Sequence, residues 1–220
     1  MSRRFAKQTT RSSVILMLAA VTLLGATACG GSNPDKPSSK QSSRADIESG
    51  GESKKAILPE DQLPEKWRYA TDEDFLGIPK VCGVILEPPS LSSAITQRFT
   101  QSFAGPFVIQ YSFVSSDEAA TKKRIDTFVS EAATCSSYEP TKDSKVLVTQ
   151  IDDIPAVGDA FAAVGAVNAA DTSDMRDYVV FRTGKQVTVL LSYSRTDLAS
   201  HADLAAMAES IAATVEASQS

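Results

Sequence analysis

YVVFRTGKQVTVLLSY, residues 178–193, places two apolar runs around Thr183-Gly184-Lys185. A glycine in a short polar break between such runs is hairpin chemistry, so 178–182 and 186–193 are expected to be antiparallel neighbours. Earlier in the chain, FVIQYSFV at 107–114 alternates cleanly. Phe107, Ile109, Tyr111 and Phe113 fall on one face, with Val108, Gln110 and Ser112 on the other. Residues 95–103 alternate as well, and Ala104-Gly105-Pro106 supplies a turn, giving a first hairpin. Further strands are expected at 145–151 and 159–167. The opening stretch 57–67 contains Pro59 and Pro64, so it should form turns or one short helix, with Trp67 as a core plug.

Two segments switch to helical period. Ser115 stands three residues before Glu118, the spacing of a capping box, and Ile125, Phe128, Val129 and Ala132 then form an apolar stripe. Lys122, Lys123 and Arg124 lie largely off the stripe and are read as solvated. The terminal helix shows Leu204, Met207, Ala208, Ile211 and Val215 at core spacing. The expected fold class is α+β: an antiparallel sheet built of hairpins with two main helices packed on one face. Ile109, Tyr111, Phe113, Val187, Val189, Leu191 and Tyr193 should then lie beneath the helices. Arg98, Gln110, Ser112, Thr188, Leu190 and Ser192 should face outward, either as plain solvent-exposed surface or as a binding floor.

Composition narrows the function. The chain of 220 residues is 42% hydrophobic, enough for one folded domain plus extra chain. Arg3, Arg4, Lys7 and Arg11 precede the apolar run VILMLAAVTLL at 14–24, and small residues lead to Cys29. A basic start, a short apolar stretch and small residues at the cut describe a secretory leader over 1–28. The run is short for a permanent span. Ala26-Thr27-Ala28-Cys29 resembles a bacterial lipobox, although Ala26 stands where leucine is preferred; lipidation of the Cys29 thiol would anchor the protein on the outer face of the membrane. Residues 29–54 hold seven serines, four glycines and two prolines. They are expected to be a disordered tether of about 28 Å root-mean-square span. Without the four leader cations, 18 basic face 27 acidic side chains, a formal net charge of −9. Such a domain is a poor partner for nucleic acid.

Catalytic and metal chemistry find few residues. Cys82 and Cys135 remain after Cys29 is lipidated, and in an exported domain they are expected to form a disulfide, two free buried thiols being the alternative. The bond would close a loop of 54 residues, both cysteines counted, and constrain the unfolded chain by about 4 kcal/mol. His201, the single histidine, sits at the start of the last helix and reads as structural. Neither a Gly-x-Ser-x-Gly elbow nor an SxxK signature occurs. Asp72-Glu73-Asp74 and the trio Asp171, Asp174, Asp177 lack EF-hand spacing and read as solvated loops. No catalytic residue, metal or cofactor is expected.

One resemblance spans most of 55–220. The lipobox, the tether, Cys82-Gly83-Val84, a strand ending at Phe113, a helix ending at Cys135, Ile154-Pro155-Ala156-Val157-Gly158-Asp159 and Val179-Val180-Phe181-Arg182-Thr183-Gly184-Lys185 occur in that order. The pattern resembles actinobacterial lipoproteins with a PknH-like extracellular sensor domain. The resemblance implies a curved antiparallel sheet with helices, of Mog1/PsbP-like fold, and a cleft for an unidentified extracellular ligand. Two departures stand out. The kinase sensor has two disulfides where only Cys82 and Cys135 are available, and Lys185 replaces a frequent asparagine. The expected function is a cell-surface lipoprotein with a non-catalytic ligand-binding domain; the alternative is an envelope scaffold docking to another protein. Its partners are the membrane through Cys29, an unknown small molecule or envelope component, and another envelope protein if it serves as a scaffold. Arg98, Gln110, Ser112 and Arg182 are the candidate ligand-binding residues.

Overall fold

The computed structural model describes residues 51–70, 79–142, 144–194 and 196–219. Cys29, the leader, most of the tether and Asp72-Glu73-Asp74 lie outside them. No helix among the described residues is long and apolar enough to cross a membrane.

The chain opens with 3-10 turns at Glu52–Ala56 and Glu60–Gln62. The strands are β1 (Arg68–Tyr69), β2 (Lys80–Val81), β3 (Val84–Ile85), β4 (Leu91–Thr100) and β5 (Phe107–Ser115), followed by helix α1 (Glu118–Ala132). Then come β6 (Ser137–Tyr138), β7 (Val146–Gln150), β8 (Ala160–Asn168), β9 (Met175–Thr183), β10 (Gln186–Ser194) and helix α2 (His201–Ala217). Eight strands form one antiparallel sheet in the order β1-β4-β5-β10-β9-β8-β7-β6, and β2 pairs with β3 separately. The expected α+β class and both hairpins are present. In the late hairpin, Thr183 pairs with Gln186 across the turn, and Gly184 takes φ +57°, a conformation that glycine reaches without strain.

The helices, however, lie on opposite faces, not on one. Strand residues alternate sides, so neighbours in sequence report different faces. Ile109, Tyr111, Phe113, Val180, Val187, Val189 and Leu191 pack with Ile125, Phe128 and Ala132 of α1. Val108, Val179, Phe181 and Leu190 pack with Leu204, Met207, Ala208, Ile211 and Val215 of α2, joined by Ala56, Leu58, Trp67 and Phe99. Trp67 is the expected plug. Polar alternation in β5 and β10 suggested one wet face. That row instead supplies hydrogen bonds to backbone arriving from elsewhere. Gln110 Nε2 donates to Ala56 O (2.5 Å), and Ser192 Oγ accepts from Ala199 N–H (2.9 Å).

Two boundaries also move. Ser53 and Ala56 are fully buried, so the folded domain begins inside the stretch assigned to the tether. Ser115 closes β5 and donates to Pro89 O (2.6 Å), while the α1 cap is Asp117, whose Oδ1 accepts from Ala120 N–H (2.9 Å). Aspartate is as good a cap as serine, and its position one turn from Thr121 fits the helix phase. The expected disulfide is formed: Cys82, at the β2–β3 turn, is bonded to Cys135, just past α1.

Candidate functional site

The four candidate ligand residues do not form an open floor. Gln110 and Ser112 are 0% exposed; Gln110 Nε2 also donates to Ser112 Oγ, which meets Thr188 Oγ1. Arg98 pairs in register with Ile109, so it belongs to the opposite face, where its guanidinium lies 4.9 Å from the Phe107 ring centroid and 5.5 Å from that of Tyr193. The Arg182 side chain is only 7% exposed. Its Nη1 donates to Gly184 O (2.6 Å) and contacts Asp159 Oδ2 (3.0 Å), which also accepts from Gly184 N–H. Asp159 N–H in turn donates to Arg182 O (2.7 Å). The Gly158-Asp159 and Arg182-x-Gly184 motifs are therefore two halves of one clamp on the β9–β10 turn. Gly158 has φ +69°, and a Cβ there would strike the Arg182 carbonyl. The clamp is built for structure.

His201 is more engaged than a bare helix terminus. Nδ1 lies 2.6 Å from Asp153 Oδ1, and Nε2 lies 3.5 Å from Asp177 Oδ2. Asp177 is buried in β9, outside the solvated loop in which it was expected. Burial pushes its carboxyl up, His201 pulls against that, and the Asp153 charge adds to the rise. Asp153, hydrogen-bonded to the imidazole, is held below the usual carboxylate range. Arg124, expected to be solvated, donates to Glu87 O and ties α1 to the strand entry.

The accessible chemistry lies elsewhere. Helix α1 covers only part of its face of the sheet. Beyond its end, a cleft of about 410 Å³ opens over β7, β8 and β9. The volume falls within the roughly 300–1,000 Å³ of small-molecule sites. Ala166 makes the depression: it pairs with Arg176 on one side and Val148 on the other, and its methyl leaves the space unfilled. Pro79 and Lys80 stand on one wall, on the segment held by the Cys82–Cys135 bond; Tyr138 and Pro140 also line the cleft. Tyr178 and Leu191 form the buried base.

Charge in the cleft is uneven. The carboxylate of Asp174 takes Arg176 Nε and Nη2 at 3.0 and 3.1 Å, fixing the plane of the guanidinium and leaving Nη1 outside that pair. Burial works against the Arg176 charge, but Tyr178 and Asp174 outweigh it and hold the group cationic. Burial pushes the Tyr138 phenol up to about 12, with Tyr178 adding to the rise. Tyr178 is raised for the same first reason, with Arg176 pulling against it. Both phenols remain O–H donors at neutral pH. Lys80 is exposed at the rim. A second depression, beside the β9–β10 turn, has its Lys185 and Glu52 side chains already ion-paired to each other. Sequence reasoning missed the cleft over β7–β9 because its residues come from five separated stretches. Tyr138 and Arg176 in flanking positions carried no spacing signal.

Among the described residues no group of three His, Cys, Asp or Glu side chains is arranged to hold a metal. No protein-family model matches the chain, and no curated protein matches it either.

Proposed function

We propose that this protein is a lipid-anchored, extracytoplasmic binding module of the PknH-like sensor type, without catalytic activity, and that it takes a small molecule in the cleft over β7–β9. The carrying observation is that cleft: a largely apolar depression whose lining includes two tyrosines, the planar Arg176 guanidinium and the exposed Lys80. The leader and the lipobox at Cys29 support the location, and the serine- and glycine-rich stretch after it supports a domain held away from headgroups. A binding rather than catalytic role is supported by the imidazole. Among the described residues its ring nitrogens meet carboxylates, not a hydroxyl or thiol.

Metabolic labelling with palmitate tests the anchor: the wild-type chain should be marked and Cys29→Ser should not. Thermal-shift screening of the same chain against envelope metabolites should give a stabilising ligand. Unlabelled wild-type protein defeats the anchor, and a broad panel without a single shift defeats the binding role.

A second reading, an envelope scaffold, rests on Phe103. It is 98% exposed at the tip of the β4–β5 connection, with the Arg68 guanidinium 5.9 Å from its ring centroid. A photo-crosslinker at position 103 that captures one envelope protein in cells favours this reading; recovery of monomer alone removes it.

A further inference from the structure

Resting on the cleft reading above, we infer that the ligand is a compact, planar organic anion, an aromatic carboxylate in chemical class. Size comes first. A 410 Å³ cleft lies at the small end of the roughly 300–1,000 Å³ of small-molecule sites, which suits a fused-ring acid of about thirteen non-hydrogen atoms. Shape follows from the lining. Pro79 and Pro140 present apolar ring edges, the Tyr138 and Tyr178 rings are planar, and Asp174 fixes the orientation of the planar Arg176 guanidinium by two hydrogen bonds. Guanidinium and phenol planes stack on aromatic rings at little entropic cost, because few rotors have to be frozen.

The sign of the charge follows from the ionisable lining. Lys80 and Arg176 face one carboxylate, Asp174, in a domain whose overall charge is negative. Asp174 engages Nε and Nη2 and the Tyr178 side chain also hydrogen-bonds the guanidinium, so the remaining Arg176 N–H groups and the exposed Lys80 ammonium are the donors left for an anionic head. The phenol O–H groups can donate to a carboxylate, a charge-assisted bond stronger than the one a neutral head would accept. Farther along the same face, Tyr193 pairs with Arg176 in register and carries Arg98 over its ring, so the cationic and aromatic character extends past the cleft mouth. Ring stacking selects the body of the ligand and the cations select its head.

Calorimetric titration of the full chain bearing Cys29→Ser, so that no acyl chain competes, provides the test. The probes are 2-naphthoate, its neutral counterpart 2-naphthamide, and the flexible anion decanoate. Naphthoate should bind about tenfold tighter than either of the others, a difference of about 1.4 kcal/mol. Lys80→Gln combined with Arg176→Gln should bring naphthoate down to the naphthamide level. Equal binding of naphthoate and naphthamide, decanoate as tight as naphthoate, or no binding of any probe overturns the ligand class. Ala166→Leu fills the cleft from its floor and Val146→Trp fills it from the half-buried edge, so at least one should keep the native melting profile. If the folded variant leaves every affinity unchanged, the cleft itself is not the site and the reading beneath this inference fails separately.

Discussion

Asp159 shows how much a half-exposed side chain can carry. Its carboxylate is the counter-charge of a guanidinium that is almost fully enclosed, and it also receives the Gly184 amide of the adjoining turn. Asp159→Ala strands the Arg182 charge. A fully buried pair would lose more, but Asp159 is 52% exposed, so the cost should be about 1–2 kcal/mol, read as a lower denaturation midpoint with unchanged slope. Asp177 gives a pH signature. Its carboxyl is raised by burial, so the folded state keeps a proton that the unfolded chain has released. Stability from this group is therefore greatest below the ordinary aspartate range and falls as pH climbs from there to the raised value. Asp177→Asn should remove that fall, so that wild-type and variant stability converge toward acid and separate toward neutrality. Urea titrations across the acidic range would show parallel curves if Asp177 were unperturbed.

At the scale of elements, the disulfide is the clearest constraint. It joins the β2–β3 turn to the end of α1 across 53 residues, and the chain-entropy model gives it about 4 kcal/mol. Reduction should lower the melting temperature of the domain and loosen the Pro79–Lys80 wall of the cleft first, seen as faster amide exchange at 80–86 than in β9. Uniform exchange on reduction would contradict this order. Strands and helices were largely legible because each has its own period. FVIQYSFV and the late hairpin carried theirs within nine residues, and the α2 stripe of Leu204, Met207, Ala208, Ile211 and Val215 is buried as expected. Which face each helix covers was not legible. Period shows that a face is apolar but not what lies on it, and the row Gln110, Ser112, Thr188, Ser192 alternates as an outward face or a binding floor would. It is dry because residues 53–58 and the loop before α2 bring unpaired backbone groups to it. The cleft was illegible for the related reason that it is defined by what α1 fails to cover.

Considered as a whole, the molecule is closed by its opening residues. Ser53, Ala56 and Leu58 are buried, and Tyr69 Oη donates to Leu58 O, so the segment after the tether seals the α2 side of the sheet. A chain beginning at residue 51 should melt as the full protein does. One beginning at residue 60 should lose most of its cooperative transition, since Gln110 would lose its carbonyl partner and the α2 cluster two apolar side chains; equal melting of both would show the segment to be dispensable. The margins of the large sheet have a further effect. β1 and β6, its outermost strands, are two residues long apiece. The β6 rim is short, but β1 pairs only with Phe99 and Thr100 and leaves most of the ten-residue β4 outside its cover. Wherever copies crowd together, a neighbour has little to pair with at the β6 rim, while at the other rim the opening turn, whose Ser53 N–H donates to Ser93 Oγ, lies against β4.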